Sequence, residues 1–200
     1  IIVKNGKYYA CFSCEVEKQP LSQSDEQVGV DLGLLHLAVT SSGETFEVPK
    51  HLRKNEKRLK ELQRSVSRKK RRSMRRKKAV RILARLHEKV ANQRKDHAHK
   101  VARQLVNRYG LIAFENLNVQ GMVKNHHLAK SIADAGWHQL VQFTTYKAES
   151  AGRVVVQVDP RHTSQLCSHC GEIVKKGLSV RMHQCHHCGY VADRDENAAR

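Results

Sequence analysis

The sequence predicts an α/β protein in which a mixed β-sheet is combined with helices. Short β-type runs punctuated by turns occupy residues 1–49, and apolar residues then recur with a helical period from about 50 to 106. A strand-like run at 111–115 follows, then a helical pattern at about 133–151 and a β-branched run at 153–158. Strands that alternate with helices in this way are typical of an α/β sheet.

The first part of the sheet is expected to be an antiparallel meander. Its runs at residues 28–32, 37–40 and 45–48 are short and separated by tight turns. The β-branched run at 153–158 lies between Gly152 and Pro160, which predicts a buried strand. The helix before it carries large apolar side chains that we interpret as core packing rather than a base-stacking platform: Trp137, Leu140, Val141 and Tyr146.

Length and composition favour a soluble, cytoplasmic protein. The 200 residues suffice for one substantial domain and a small appendage, and 40% of them are hydrophobic. No apolar run approaches the roughly 18 to 20 residues of a membrane span, and no leader peptide precedes Ile1, so no membrane partner is expected. Because the chain opens within a strand pattern and stops soon after a helix begins, we expect it to be a piece of a longer protein.

The net charge of +18 is concentrated in one segment. Residues 50–103 contain 23 Lys and Arg but only four acidic residues, and the rest of the chain is nearly neutral. The helical pattern there predicts a hairpin of two helices with a basic tip at 67–78, where Met74 is the sole apolar residue. Like charges at this density require a polyanion nearby, which predicts nucleic-acid binding. The candidate contacts are Lys69, Lys70, Arg71, Arg72, Arg75, Arg76, Lys77 and Lys78.

Six cysteines form three Cys-x-x-Cys pairs with different interpretations. Cys167, Cys170, Cys185 and Cys188 form two knuckles separated by fourteen residues, and a glycine follows each knuckle. Four thiolates at this spacing predict a structural zinc site of the ribbon type, because all four coordination positions would be filled by protein. Cys11 and Cys14 fall in a strand-like run at 7–16, where residues three apart face opposite sides, so we interpret them as ordinary strand cysteines.

Three acidic residues stand out by their positions. Asp31 shares a strand face with Gly29 and Gly33, which would leave room for a ligand, and Glu115 ends its strand above the small residue Ala113. Asp195 lies in the first turn of a helix near the end of the chain. Carboxylates gathered at strand ends suit Mg²⁺ or Mn²⁺, and two such ions can drive phosphodiester hydrolysis.

Asp195 is favoured over its neighbour Asp193 as the third acid. Asp193 is a good helix N-cap, and Glu196 three residues later would complete a capping box. Asp195 is left without such a structural task.

Several motifs together resemble the transposon-encoded TnpB (OrfB) proteins, whose relatives include Fanzor and the type V CRISPR effectors. These motifs are Gly-Val-Asp-Leu-Gly (29–33), Phe-Glu-Asn-Leu (114–117), the first cysteine knuckle with Thr-Ser-Gln before it, the second knuckle, and Asp-Arg-Asp-x-Asn-Ala-Ala (193–199). The resemblance implies an RNase H-like (RuvC) fold and maps its catalytic triad onto Asp31, Glu115 and Asp195. It also implies RNA-guided cleavage of DNA, hence a DNA target and a guide RNA.

The resemblance divides the chain into five segments. The first RuvC segment covers residues 1–49, a basic hairpin insertion 50–108, a second RuvC segment 109–160, the zinc ribbon 161–192 and the start of the last RuvC helix 193–200. The upstream region that reads the target-adjacent motif in this family is not expected in this chain. Two alternatives stay open: a non-catalytic nucleic-acid-binding module, and a transposase of the DDE type, against which the zinc ribbon before the last acid argues.

Overall fold

A computed structural model describes residues 1–17, 20–160, 163–177 and 180–200. The chain divides into two compact units, one comprising Ile1–Lys18 and Lys50–His97 and the other Gln19–Pro49 and Ala98–Arg200. One helix, Met74–Arg108, contributes its residues up to His97 to the first unit and the rest to the second.

The first unit contains a small hairpin and two helices. Strands β1 (Ile2–Lys4) and β2 (Lys7–Tyr9) pair antiparallel, and Asn5 and Gly6 form the turn with positive φ angles. Helix α1 spans His51–Ser67, and helix α2 begins at Met74 and ends at Arg108. Asn5 donates a hydrogen bond of 2.9 Å to the Glu88 carboxylate on α2, which ties the hairpin to this helix.

The predicted pair of helices is therefore present, but the strand at 7–16 is shorter than expected. Because β2 ends at Tyr9, Cys11 and Cys14 lie in an irregular, exposed segment and are not strand residues. The expectation of strand cysteines was wrong, since within the described parts of the chain no strand pairs with residues 10–16.

A five-stranded mixed sheet forms the centre of the second unit. Its strands are β3 (Gln27–Asp31), β4 (His36–Thr40), β5 (Thr45–Glu47), β6 (Leu111–Glu115) and β7 (Val154–Val158), in the order β5-β4-β3-β6-β7. The first three form the expected antiparallel meander, whereas β3, β6 and β7 are parallel. This confirms a mixed α/β architecture.

The core of this unit lies between the sheet and its helices. Alternate residues of β3 and β6 point into it, including Val28, Val30, Ile112 and Phe114, the last two with no exposed surface. The end of α2 and helix α5 (Trp137–Ala151) supply the opposite side, with Leu105 and Leu140 among the most buried side chains.

The helix expected at 133–151 is interrupted. Helix α4 (Ala129–Ala135) ends at Gly136, whose positive φ of 68° allows the chain to turn before α5 begins. The buried face of α5 carries Trp137, Leu140, Thr144, Ala148 and Ala151. Tyr146 lies on the other face and is 45% exposed, so its interpretation as a core residue was wrong.

The strand β7 is also less buried than predicted. It lies at the edge of the sheet beside β6, and Val154 and Val158 are 53% and 44% exposed. The expectation of a buried strand was wrong because its burial depends on the strand order, which a β-branched run does not determine. A short helix, α3 (Val119–Met122), connects β6 to α4.

The cysteine-rich region follows β7 and leads into the last helix. Strands β8 (Met182–Gln184) and β9 (Val191–Asp193) form an antiparallel hairpin, and helix α6 (Arg194–Ala199) follows β9 directly. In the part of the chain that the structure describes, no helix is both long enough and apolar enough to cross a membrane.

Candidate active site and metal centre

Asp31 and Glu115 end two neighbouring parallel strands. In the β3–β6 ladder Val30 is paired with Phe114, so the next residue of each strand carries an acidic side chain at the same edge of the sheet. Neighbouring strands are about 4.8 Å apart, which brings the two carboxylates into electrostatic contact. The placement at one edge follows from the parallel pairing.

Asp195 reaches this edge from α6. The Asp193 carboxylate caps the helix by accepting a 2.8 Å hydrogen bond from the Asp195 backbone N–H, which confirms Asp193 as the N-cap. The side chain of Glu196 accepts a hydrogen bond from Arg200 at 2.9 Å. Asp195 is itself buried, with 6% of its surface exposed.

Gly29 lets α6 approach β3 closely. A Cβ atom at this position would collide with the backbone carbonyl of Ala199, so only glycine fits beneath the helix. Helix α6 fills the space directly over Gly29, but Gly29 also lines the cavity beside Glu115, so the expectation that it leaves room for a ligand stays a prediction. Room is present beside Glu115, which borders a cavity of about 550 Å³ that Ala113 and Thr163 also line.

The electrostatics show that three carboxylates influence one another. Burial and the charges of Glu115 and Asp195 together raise the pKa of Asp31 to about 7, against the opposing effect of two arginines. Burial also raises the pKa of Glu115, a hydrogen bond with Thr163 lowers it, and the charge of Asp195 raises it again. Carboxyl groups with raised pKa values in one place are a mark of functional sites and of sites that bind cations.

Two arginines neutralise Asp195. Arg181, from the segment just before β8, donates to Asp195 Oδ2, and Arg194 contacts Oδ1 at 3.2 Å. The idea that Asp195 lacks a structural task was therefore incomplete, since it anchors two guanidinium groups. Among the described residues, the three carboxylates do not form a group with all ligand atoms within 4.8 Å of one another.

The four knuckle cysteines do form such a group. Their Sγ atoms all lie within 4.8 Å of one another, with Cys167 and Cys188 3.7 Å apart and Cys170 and Cys185 3.6 Å apart. A tetrahedral metal with bonds of about 2.3 Å to sulfur requires sulfur atoms about 3.8 Å apart. The donor set and its spacing therefore fit a zinc ion.

The backbone of each knuckle is folded around its first sulfur. Gly171 and Gly189 have φ angles of 77° and 75°, and their N–H groups donate to the carbonyls of Cys167 and Cys185. Burial raises the pKa of the Cys185 thiol, but hydrogen bonds from the backbone of Cys188 and His187 lower it to about 7. In this turn the backbone N–H groups of His187 and Cys188 point toward the Cys185 sulfur, which favours the thiolate that a metal needs.

Asn197 attaches the first knuckle to α6. Its side-chain nitrogen donates to the Leu166 carbonyl at 2.7 Å, and its oxygen accepts from the Ser168 N–H at 3.0 Å. Because Asn197 and Asp195 share one helix, the cysteine cluster and the third acid belong to one connected piece of structure. The backbone N–H of Arg194 also donates to the Arg181 carbonyl at 2.7 Å.

The basic residues proposed for nucleic acid surround the turn between α1 and α2. Lys70, Arg71 and Arg72 are exposed in this turn, whereas Lys69 is half-buried and donates to Ser65. The remaining candidates lie in the first turns of α2, where Arg75, Lys77 and Lys78 are exposed and Arg76 is half-buried.

Comparison with known families identifies the chain. The family model OrfB_IS605, described as a probable transposase, matches residues 11–126, and a model for the Cas12f1-like TNB domain matches residues 137–200. The chain belongs to the TnpB (OrfB) family.

Several curated relatives of this TnpB-family chain are named as RNA-guided DNA endonucleases. A Streptomyces pristinaespiralis protein with such a name is 39% identical over 98% of the chain and 49% of its own length. The Escherichia coli K12 protein InsQ, also named in this way, is 36% identical over 98% of the chain and 53% of its own length. The chain thus spans about half the length of these relatives.

A solved structure supports the same fold at low sequence identity. The chain is similar to Cas12f1 in a complex described as Cas12f1, sgRNA and target DNA, with a TM-score of 0.61 over 90% of the chain and 50% of Cas12f1. At 18% identity this similarity establishes the fold alone.

Sequence reasoning missed three residues of this TnpB-family site: Arg181, Arg194 and Asn197. Arg194 and Asn197 flank Asp195 in the Asp-Arg-Asp-x-Asn motif, and that proximity was the available signal. Arg181 is fourteen residues earlier in the chain and gave no signal of its own, since arginines are abundant throughout the sequence.

Proposed function

We propose that this chain is the catalytic portion of an RNA-guided, metal-dependent DNA endonuclease with an RNase H-like (RuvC) fold. The observation that carries the proposal is the convergence of Asp31, Glu115 and Asp195 from the ends of β3 and β6 and the start of α6. The raised pKa values of Asp31 and Glu115 support this proposal, because a bound cation would offset the repulsion among carboxylates at this end of the sheet. Because the relatives are named RNA-guided DNA endonucleases, we propose DNA as the substrate and RNA as the guide.

Asp31, Glu115 and Asp195 would hold the catalytic Mg²⁺ or Mn²⁺ ions. Carboxylate oxygens are the hard donors that both ions prefer. A pair of such ions supplies activation of water and stabilisation of the leaving oxygen in phosphodiester hydrolysis. In this scheme Glu115 faces the 550 Å³ cavity, which offers space next to the reacting phosphate.

Arg181 and Arg194 would exchange partners when the site is loaded. In their present position the two guanidinium groups balance the charge of Asp195. If Asp195 held a cation, the Arg181 and Arg194 side chains would be available to a phosphate, which guanidinium groups bind well. Arg181 is the more exposed of the two and is the better candidate for this role.

The cysteine cluster would hold a structural zinc ion. All four positions of a tetrahedral ion are filled by Cys167, Cys170, Cys185 and Cys188, so no position is open for catalysis. Together with Asn197, the ion would fix α6 and Asp195. The proposed ribbon segment is 161–192, of which 161–162 and 178–179 lie outside the described residues.

The basic helical segment, proposed as an insertion over residues 50–108, would bind the nucleic acid backbone. Exposed Lys and Arg side chains at its turn carry no opposing acidic partner close in sequence, and phosphate contacts are the natural counterpart of such charge. The partners proposed for this chain are therefore target DNA and a guide RNA.

The full-length protein with its guide RNA tests the proposal. It should cleave DNA with Mg²⁺ present, and Asp31→Asn, Glu115→Gln and Asp195→Asn should each reduce cleavage by several orders of magnitude. Glu172→Gln, an exposed carboxylate in the ribbon, is the matched control and should leave cleavage unchanged. Undiminished cleavage by the Asp31 and Asp195 variants would refute the assignment of the site.

One observation favours a second function, a non-catalytic nucleic-acid-binding module. The pairing of Asp195 with two arginines is what a purely structural acid would show. A binding module retains nucleic-acid affinity in Glu115→Gln and produces no metal-dependent cleavage. The DDE-type transposase instead gives strand-transfer products, so one gel assay separates all three functions.

A further inference from the structure

His183 is a fully buried histidine inside the ribbon. It lies in β8, where it pairs with Ala192 of β9, and none of its surface is exposed. Its Nδ1 atom is 2.6 Å from the Lys176 ammonium nitrogen. Its other nitrogen, Nε2, is buried and makes no hydrogen bond of normal geometry with the described residues. A buried polar atom of this kind calls for a partner, because leaving it without one is costly.

The contact with Lys176 determines which nitrogen carries the proton. An ammonium group has three donors and no acceptor, so Nδ1 of His183 must accept. A neutral ring that accepts at Nδ1 carries its hydrogen on Nε2. The buried Nε2 is therefore a donor, and the partner it needs is an acceptor.

The acceptor that the ribbon offers is the sulfur of Cys167. This cysteine is as buried as His183, with 1% of its surface exposed. Its sulfur is surrounded by the backbone of Cys170 and His169 and by the His183 side chain. The imidazole thus lies within reach of this sulfur. A metal-bound cysteine is a thiolate and a good acceptor.

We propose that His183 is a positioning residue of the metal centre, whose Nε2–H donates to the Cys167 thiolate while Lys176 fixes the tautomer. The inference rests on the zinc site of the proposed function and not on the nuclease activity. An N–H···S bond orients the ligand and offsets part of its negative charge, as outer-shell partners do at other metal sites. Arg181 lies two residues before His183 in the chain. A hydrogen bond that fixes His183 therefore also helps to keep Arg181 near Asp195.

Zinc release from the full chain tests the proposal. The zinc-loaded protein is mixed with a coloured chelator, and the rate and extent of zinc transfer are recorded without any nucleic acid. His183→Leu removes the donor, and we expect zinc affinity to fall about 10- to 100-fold. His183→Gln places an amide N–H near the position of Nε2 and should restore most of the affinity. His186→Ala, an exposed histidine beside Cys185, is the control and should behave like the parent chain.

A second variant guards against a folding defect in His183→Leu. Lys176→Met removes the group that fixes the tautomer from a half-buried position, so the fold should be retained and zinc should be released faster. With Co²⁺ in place of zinc, the sulfur-to-metal charge-transfer band should shift in both variants and not in His186→Ala. Release at the control rate from both His183→Leu and Lys176→Met would overturn the proposal. Zinc retention that depends on His183 in a protein unable to cut DNA would refute the nuclease and leave this inference standing.

Discussion

Replacing Asp31 with Asn should stabilise the chain at alkaline pH when divalent ions are absent. Burial, as the largest cause, and the charges of Glu115 and Asp195 raise the pKa of Asp31 from 3.8 to about 7. Because the folded-state pKa lies above the unfolded value, the protonated Asp31 contributes its full share of the folding stability only below about pH 3.8. That contribution is lost as the pH rises to about 7 and stays absent above it. At 1.36 kcal/mol for each pH unit, the loss between pH 5 and pH 8 is at most about 3 kcal/mol.

Urea unfolding followed by tryptophan fluorescence measures this loss. The chain has a single tryptophan, Trp137, which is buried and donates to the Gly33 carbonyl at 3.2 Å, so it reports on the sheet next to Asp31. Magnesium should be removed with a resin that leaves the zinc in place. The free energy of unfolding of the parent chain should fall from pH 5 to pH 8 more steeply than that of Asp31→Asn.

The same substitution at an exposed site provides the control. Asp25→Asn should follow the parent chain at both pH values, because Asp25 is exposed. If Asp31→Asn shows the same pH dependence as the parent chain, the pKa of Asp31 is not raised in the folded protein, and the reasoning from burial and neighbouring charge fails.

Three further predictions follow from the packing and charge of the chain. Asn197→Ala should lower the free energy of unfolding by about 1 to 3 kcal/mol, because the buried Asn197 side chain loses two hydrogen bonds to the backbone of Leu166 and Ser168. An unchanged urea midpoint would contradict the anchoring role. Phe114→Ala should lower the free energy of unfolding by about 3 to 5 kcal/mol in the same assay, because Phe114 is fully buried. Phe12→Ala, at a residue 84% exposed, should change it by less than about 0.5 kcal/mol. Equal losses in the two variants would argue against Phe114 as a core residue. Replacing Arg71 and Arg72 by Ala should make the slope of log affinity for DNA against log salt concentration shallower by about 0.9 for each charge removed. Fluorescence anisotropy measures this affinity. An unaltered slope would show that the two arginines do not contact DNA.

Local features of the fold could be predicted from the sequence because their causes are local. Glycine turns delimit the strands of the meander, and the alternation of Val28 and Val30 marks the buried face of β3. The Asp193 cap and the two cysteine knuckles are likewise encoded by residues a few positions apart. Such patterns need no knowledge of which elements are neighbours in space.

Other features depend on long-range packing and were missed. Val154 is exposed because β7 is an edge strand, which only the strand order reveals. Tyr146 points away from the core because the buried stripe of α5 continues through Thr144 and Ala148, residues that do not stand out as apolar. The ion pair between Arg181 and Asp195 joins residues fourteen positions apart, and no sequence pattern predicts it.

Diffraction from crystals of the chain soaked in Mn²⁺ tests the central claim most directly, because manganese can be located by its anomalous signal. One or two manganese peaks should lie among the carboxylates of Asp31, Glu115 and Asp195, with Arg181 withdrawn from Asp195. The Asp195→Asn variant should lose at least one of these peaks. At a saturating Mn²⁺ concentration, crystals in which the arginines stay on Asp195 and no manganese lies among the three carboxylates would contradict the claim that these acids form a nuclease site.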